Sequence, residues 1–141
     1  GFAPAWGTPG NSAYVLLIGL NIEISFMFAI MGLMSVRMLP SDPGLRVFGI
    51  PNRWLLAICN SILCVMVELW LNRIGVLTWE WPWWNVRAPW LIFLIGYLPF
   101  FLVAYWVHDM ASRKHQLWVV GLLAMIVAAS LTLFAGILNW I

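Results

Sequence analysis

Four long apolar runs dominate the sequence and restrict what the chain can fold into. They span residues 13–36, 53–74, 89–109 and 117–140, and each reaches the ~20 residues that a helix needs to cross a hydrocarbon layer of about 30 Å. In lipid every backbone N–H and C=O must be paired within the segment, and the runs lack the alternation typical of barrel strands. The sequence therefore predicts an all-α, polytopic membrane protein, a bundle of four antiparallel transmembrane helices.

Composition agrees with lipid as the main solvent. Of the 141 residues 64% are hydrophobic and only 9% are charged, whereas a soluble domain usually carries about 25% charged residues. No soluble unit or internal repeat interrupts the pattern, so residues 1–141 are expected to form a single transmembrane domain. The first thirteen residues lack a positive charge and are not expected to be a signal peptide. The chain starts at Gly1 instead of Met, so N-terminal processing and a missing upstream segment both stay open.

The positive charges predict the orientation in the membrane. They concentrate in the links after the first and third runs, as Arg37, Arg46, Arg53, Arg113 and Lys114. By the positive-inside rule these links face the cytoplasm, which places both termini and the link after the second run on the other side. Only Arg73 and Arg87 lie on that non-cytoplasmic side.

The link after the second run is rich in tryptophan. Residues 76–90 read VLTWEWPWWNVRAPW, and indoles prefer the headgroup level, where the ring is buried and the N–H stays hydrated. We expect an interfacial loop between helices 2 and 3 that binds lipid or a partner through Trp79, Trp81, Trp83, Trp84 and Trp90. The alternative is a lid over a site for a long apolar molecule, such as an isoprenoid, a carotenoid or a lipid tail.

Two carboxylates inside the runs, Glu23 and Glu68, are the candidate catalytic residues, because an ionisable group at membrane depth is a functional candidate by default. Counted along the helices at ~1.5 Å per residue, Glu23 is expected about 15 Å deep, near the midplane, and Glu68 about 6–9 Å deep. Glu68, being nearer water and close to Asn72 or an arginine of the outer loop, is expected to have a structural role.

A polar cluster is expected around Glu23. The residues predicted near its level are Asn60, Ser61, Tyr97 and Ser130. Such a cluster would satisfy a buried carboxyl group, and three roles for Glu23 stay open: a hydrogen-bonded link between helices, a proton or acid–base site, and a site for a cation or substrate.

Two further features of the sequence concern the shape and packing of the helices. The fourth run carries a face of small residues at spacings of three and four, which lets helices approach closely; it consists of Gly121, Ala124, Ala128 and Thr132. In the third run Pro99, with Gly96 before it, predicts a kink that frees a backbone carbonyl near Ile95.

Several classes of chemistry are excluded by the pattern. Cys59 and Cys64 are five positions apart on one helix, too far for a disulfide. The group His108, Asp109 and His115 lacks the spacing of a metal or haem site, so no metal site is predicted and no cofactor is identified. Phosphate-binding glycine loops and a basic surface for nucleic acid are missing.

The sequence is typical of a small integral membrane protein that acts as a structural or accessory subunit, packing against lipid and against other membrane subunits or further copies of itself. One alternative is a membrane-embedded enzyme acting on an isoprenoid or lipid, with Glu23 as general acid. A second is a small proton-coupled transporter.

Overall fold

Helices make up most of the described chain. The computed structural model describes residues 6–7, 16–17, 20–79 and 83–138, with side chains from residue 24 onward. The helices are α1 (Ile22–Arg37), α2 (Asn52–Arg73), α3 (Pro89–His108) and α4 (Arg113–Ile137). By length and composition α2, α3 and α4 can each cross a membrane, whereas the described apolar part of α1, Ile24–Arg37, is shorter.

Helix α1 begins later than the sequence predicts. The first run was expected to be helical from residue 13, but two short strands precede Ile22, and they pair with each other in antiparallel fashion. Gly19 stands between these strands in the sequence, and glycine disfavours a helix by roughly 1 kcal/mol relative to alanine. Local strand pairing gives the backbone another way to satisfy its polar groups.

Within the described ranges the strands form three antiparallel pairs, and each strand is only two residues long. They are β1 (Trp6–Gly7) with β6 (Thr78–Trp79), β2 (Leu16–Leu17) with β3 (Leu20–Asn21), and β4 (Arg46–Val47) with β5 (Ile50–Pro51). Phe48 and Gly49 connect β4 to β5 with φ angles of 54° and 80°, as a tight turn with two left-handed residues requires. The β1–β6 pair brings the N-terminal segment to the tryptophan-rich loop.

The core lies between α2 and α3, with α1 packed on the second half of α3. Its buried apolar side chains are Ala57, Val65, Ile92, Tyr97, Phe101 and Tyr105. Gly32 of α1 allows a close approach, because a Cβ there would lie 3.2 Å from Cζ of Phe100. The Asn60 amide donates to the Tyr105 hydroxyl at 2.8 Å, which links α2 to α3 inside this core.

Helix α3 contains a π-helical segment immediately before Pro99. The segment spans Ile92–Tyr97, and the N–H of Leu98 donates to the carbonyl of Phe93, five residues back. Proline has no N–H to continue the α-helical pattern, so the wider turn absorbs the disruption expected near Pro99. Tyr97 is the last residue of this segment, and its side chain is buried on the side of α3 that faces α2.

An ion pair links the beginning of α2 to the end of α3. Arg53 donates from Nε to Oδ2 of Asp109 at 2.7 Å and from Nη2 to Oδ1 at 2.9 Å. Nη1 donates to the carbonyl of Pro40 at 2.8 Å, so the same guanidinium also fixes the first link. The hydrogen bonds from Arg53, and to a lesser extent from His108, hold the pKa of Asp109 below its usual range.

Replacing Asp109 with asparagine is expected to lower the free energy of unfolding in detergent by about 1–2 kcal/mol at pH 7, because a two-pronged, charge-assisted pair is lost. In the native protein the stability from this pair is complete above the unfolded pKa of about 4 and disappears as pH falls through the lowered folded pKa. Thermal unfolding from pH 7 to pH 3 measures both effects.

The control for this prediction is Asp42→Asn. Asp42 is exposed and accepts a hydrogen bond from the backbone N–H of Gly44, which an asparagine oxygen can also accept. If Asp109→Asn and the native protein have the same thermal unfolding midpoint at pH 7, the structural role of the Arg53–Asp109 ion pair is contradicted.

Candidate functional site

Glu68 is the buried carboxylate around which the candidate site is built. It lies on α2, five residues before the helix ends at Arg73, and only 6% of it is exposed. The buried face of α2 runs through Ala57, Ser61, Val65 and Glu68 at spacings of four, four and three, the periodicity of one helix face. The carboxylate therefore points toward α3 and the loop that precedes it.

Three side chains donate hydrogen bonds to this carboxylate. Oε1 accepts from the indole N–H of Trp79 at 2.9 Å and from that of Trp84 at 3.1 Å. Oε2 accepts from the hydroxyl of Tyr97 at 2.8 Å. A carboxylate has about four lone-pair positions, so it can accept all three bonds. We call Glu68, Trp79, Trp84 and Tyr97 the Glu68 cluster.

Three separate elements bring these donors to Glu68. Trp79 belongs to β6, which pairs with β1, and Tyr97 ends the π-helical segment of α3. The Trp84 ring lies against Gly96, where a Cβ would be 3.1 Å from Cη2 of the indole. The loop itself starts at Gly75, whose φ of +77° suits glycine at a helix end.

An apolar cavity of about 170 Å³ lies beside the carboxylate, between α1 and α2. Besides Glu68 and Tyr97, the lining residues are Met27, Met31, Leu63, Cys64, Val67, Leu71 and Leu77. Two sulfur atoms face each other in this wall, because the Cys64 thiol donates to Sδ of Met31 at 3.0 Å. The wall of the cavity therefore contains one carboxyl group, several sulfur atoms and otherwise mainly hydrocarbon side chains.

Glu68 has no cationic partner within the described ranges. All seven arginine and lysine side chains belong to these ranges, and none of them forms an ion pair with Glu68. Charged groups at membrane depth usually pair with a group of opposite charge. The described partners of this carboxyl group are therefore three neutral donors.

The structure describes the contacts of the residues expected around Glu23, but not the side chain of Glu23 itself. Tyr97 donates to Glu68, and Asn60 donates to Tyr105. Ser61 is 0% exposed, and its hydroxyl has no partner among the described residues. Ser130 lies half-buried on α4. Glu23 belongs to the first turn of α1, with its side chain outside the described residues.

The tryptophans of the loop divide into two groups. Trp79 and Trp84 are half-buried and turn their N–H groups inward to Glu68, whereas Trp83 and Trp90 are 64% and 58% exposed. Trp81 lies outside the described residues. Sequence reasoning assigned the loop to lipid or a partner and missed the inward pair, because composition does not show which indoles find a buried acceptor.

Asn72 also has a partner other than the one expected from the sequence. Its amide donates to the carbonyl of Leu77 at 3.0 Å and so fixes the start of the loop instead of Glu68. Among the residues that the structure describes, no group of three or more His, Cys, Asp or Glu side chains is arranged to hold a metal. The chemistry of the site therefore depends on the Glu68 cluster and the sulfur atoms of the cavity.

Comparison with known proteins agrees with a membrane location. Residues 1–136 match a family described as "Uncharacterized membrane protein family". A protein of Archaeoglobus fulgidus, named "Uncharacterized protein", is 55% identical over 141 residues, which cover 99% of this chain and 66% of the relative. A second protein of that organism with the same name is 57% identical over 53 residues, 38% of this chain and 95% of the relative. The chain thus spans 66% of the length of the first relative, and no solved structure matches it.

Proposed function

The chain belongs to the uncharacterized membrane protein family, and on that premise we propose that it acts as a structural or accessory subunit of a membrane assembly, with α4 docked against α4 of a second copy. The family and the three apolar helices make it a multi-pass membrane protein. The orientation inferred from the arginines, with both termini on the non-cytoplasmic side, is part of this proposal.

The observation that carries the proposal is the lack of burial along α4. Neither its α-helical part nor its π-helical end contains a buried residue, whereas α2 buries five residues against the rest of the chain. Residues 121–129 in the middle of α4 are all exposed. This helix therefore has a complete surface available for lipid or for another helix.

The small-residue face of α4 favours another helix over lipid. In a bilayer, helix association depends on close van der Waals packing, which Gly and Ala permit and bulky side chains prevent. A Cβ added at Gly121 would meet nothing within 4 Å. The Thr132 hydroxyl donates to the carbonyl of Ala128 at 2.8 Å, which leaves this face without an unsatisfied donor at that position.

A second copy is the partner that this surface suits best. Beside the small residues lies a shallow groove of about 320 Å³, formed by Leu117, Trp118, Gly121, Leu122 and Met125. Two copies related by a two-fold axis would present the same face to each other, so one set of small residues and one groove serve both partners.

The arrangement at Glu68 agrees with a structural role. Its oxygens accept three hydrogen bonds from the same chain and join α2, the loop and α3. The enzyme and transporter alternatives both give the central role to Glu23, whose side chain lies outside the described residues.

Gly121→Leu is expected to reduce self-association at least tenfold, because a leucine would separate the two backbones by its own width. The measurement is energy transfer between donor- and acceptor-labelled copies in lipid vesicles at increasing protein density. The matched control is Leu123→Phe, which also adds bulk at an exposed position, about half a turn around the helix axis from Gly121. Equal association of the two variants, or a native protein that stays monomeric at all densities, would overturn the α4 interface.

A further inference from the structure

The cavity beside Glu68 gathers sulfur atoms from two facing helices. Met27 and Met31 are four residues apart on α1, and Cys64 and Glu68 are four residues apart on α2; all four line the same cavity. Side chains four apart share one helix face. The Cys64 and Met31 sulfurs, from different helices, are already in contact at 3.0 Å.

The charge of the cavity is a second and independent observation. Glu68 brings a carboxylate to a wall that is otherwise hydrocarbon, sulfur and one phenol. No arginine or lysine of the chain forms an ion pair with it in the described structure. A carboxyl group without a cationic partner, at the edge of an apolar cavity in a membrane protein, disfavours an anion as the occupant.

We propose that this cavity binds one soft monovalent metal cation, Cu(I), with the sulfurs of Cys64, Met31 and Met27 as ligands and Glu68 as the nearby negative charge. Thiolate and thioether ligands select Cu(I) over harder ions. The complex of one thiolate, two thioethers and Cu(I) has no net charge, so an apolar cavity accommodates it. The binding site is separate from the α4 surface and does not depend on the proposed assembly.

Binding requires only small rearrangements, and atoms and charges are conserved in the step. The Cys64 thiol loses its proton to water, a sulfur–copper bond forms, and copper stays in the Cu(I) state, so no oxidant is needed. Metal–sulfur bonds are about 2.3 Å long, so the ion enters only if the two sulfurs move apart from their 3.0 Å contact. Met31 can do this by rotation about its flexible side chain.

The test is a Cu(I) titration of the detergent-solubilised full chain under anaerobic, reducing conditions, in competition with a chromophoric Cu(I) chelator. We expect one Cu(I) per chain, at least a hundredfold weaker binding for Cys64→Ser, and about tenfold weaker binding for Met31→Leu. Zn(II) should not compete. X-ray absorption of the loaded protein should show only sulfur neighbours at about 2.3 Å.

Cys59→Ser is the matched control, because Cys59 lies on the same helix but is exposed. It should bind Cu(I) as the native chain does. Absence of a one-to-one complex, equal binding by Cys64→Ser and the native chain, or an equal loss in Cys59→Ser would each overturn the site. Near-ultraviolet circular dichroism of every variant shows whether the fold is kept. If Cys64→Ser unfolds, the Cu(I) titration of Met31→Leu and the X-ray absorption spectrum of the native complex test the site instead.

Discussion

Replacing Glu68 with alanine is expected to lower the free energy of unfolding by about 2–4 kcal/mol. The substitution removes the acceptor of three hydrogen bonds and leaves the indole N–H groups of Trp79 and Trp84 and the Tyr97 hydroxyl without their partner. A buried donor that loses its acceptor costs about 1–3 kcal/mol, and part of this loss is recovered where water reaches the half-buried indoles. Thermal and denaturant unfolding in one detergent measure the change.

Glu68→Gln should lie between the native protein and the alanine variant. The amide oxygen can still accept from the indoles, but the amide NH₂ can only donate toward Tyr97. In the double variant Glu68→Gln, Tyr97→Phe that conflict disappears, so the two effects should not add. Val67→Ala is the control on the same helix, at an exposed position. An alanine variant of Glu68 as stable as Val67→Ala would show that the cluster does not hold the loop on the helices.

Gly96→Ala is expected to displace the Trp84 indole and to lower the free energy of unfolding by about 1–3 kcal/mol, the usual range for overpacking. The added Cβ would lie 3.1 Å from Cη2 and 3.3 Å from Cζ2 of that ring. The ring must shift by a few tenths of an ångström, and we expect this shift to strain the bond from its N–H to Glu68, which is 3.1 Å long. The weakening of this bond thus adds to the steric effect.

The chain offers a closely matched control for this substitution. Gly136 is the fifth residue of the π-helical segment Thr132–Ile137, as Gly96 is the fifth residue of Ile92–Tyr97. A Cβ at Gly136 would meet nothing within 4 Å, so Gly136→Ala should be neutral or slightly stabilising. Indole N–H resonances of nitrogen-15-labelled tryptophan report the displacement directly. The packing of Trp84 on Gly96 is refuted by an unchanged Trp84 resonance in Gly96→Ala.

Hydropathy along the chain was sufficient to predict the membrane class, and proline chemistry located an irregularity in α3, which was expected as a kink and is observed as a π-helical segment. Runs of more than ~20 apolar residues have few alternatives to a helix in lipid, and α2, α3 and α4 have the length and composition predicted for such spans. A proline inside a helix lacks an N–H wherever that helix packs, and a π-helical turn precedes Pro99. Both predictions depend on local chemistry alone.

The start of α1 and the assignment of polar partners could not be predicted in the same way. Apolar residues from 13 to 21 fit a helix by hydropathy, yet the backbone of Leu16–Leu17 and Leu20–Asn21 is paired as strands. Tyr97 was expected near the level of Glu23 by counting depth along straight helices, and its hydroxyl donates to Glu68, a partner that the depth count did not indicate. Depth gives the level of a side chain and not its direction.

The sequence by itself determined that this chain resides in a membrane, because the free energy of transferring an apolar segment into lipid depends on composition and length and hardly on the neighbours of that segment. Only the tertiary structure decided which of the many indoles donate to Glu68, that Gly96 leaves room for one of them, and that Cys64 meets Met31. Hydrogen bonds and close packing act over about 3–4 Å. Residues far apart in the chain reach such distances only after the helices have packed.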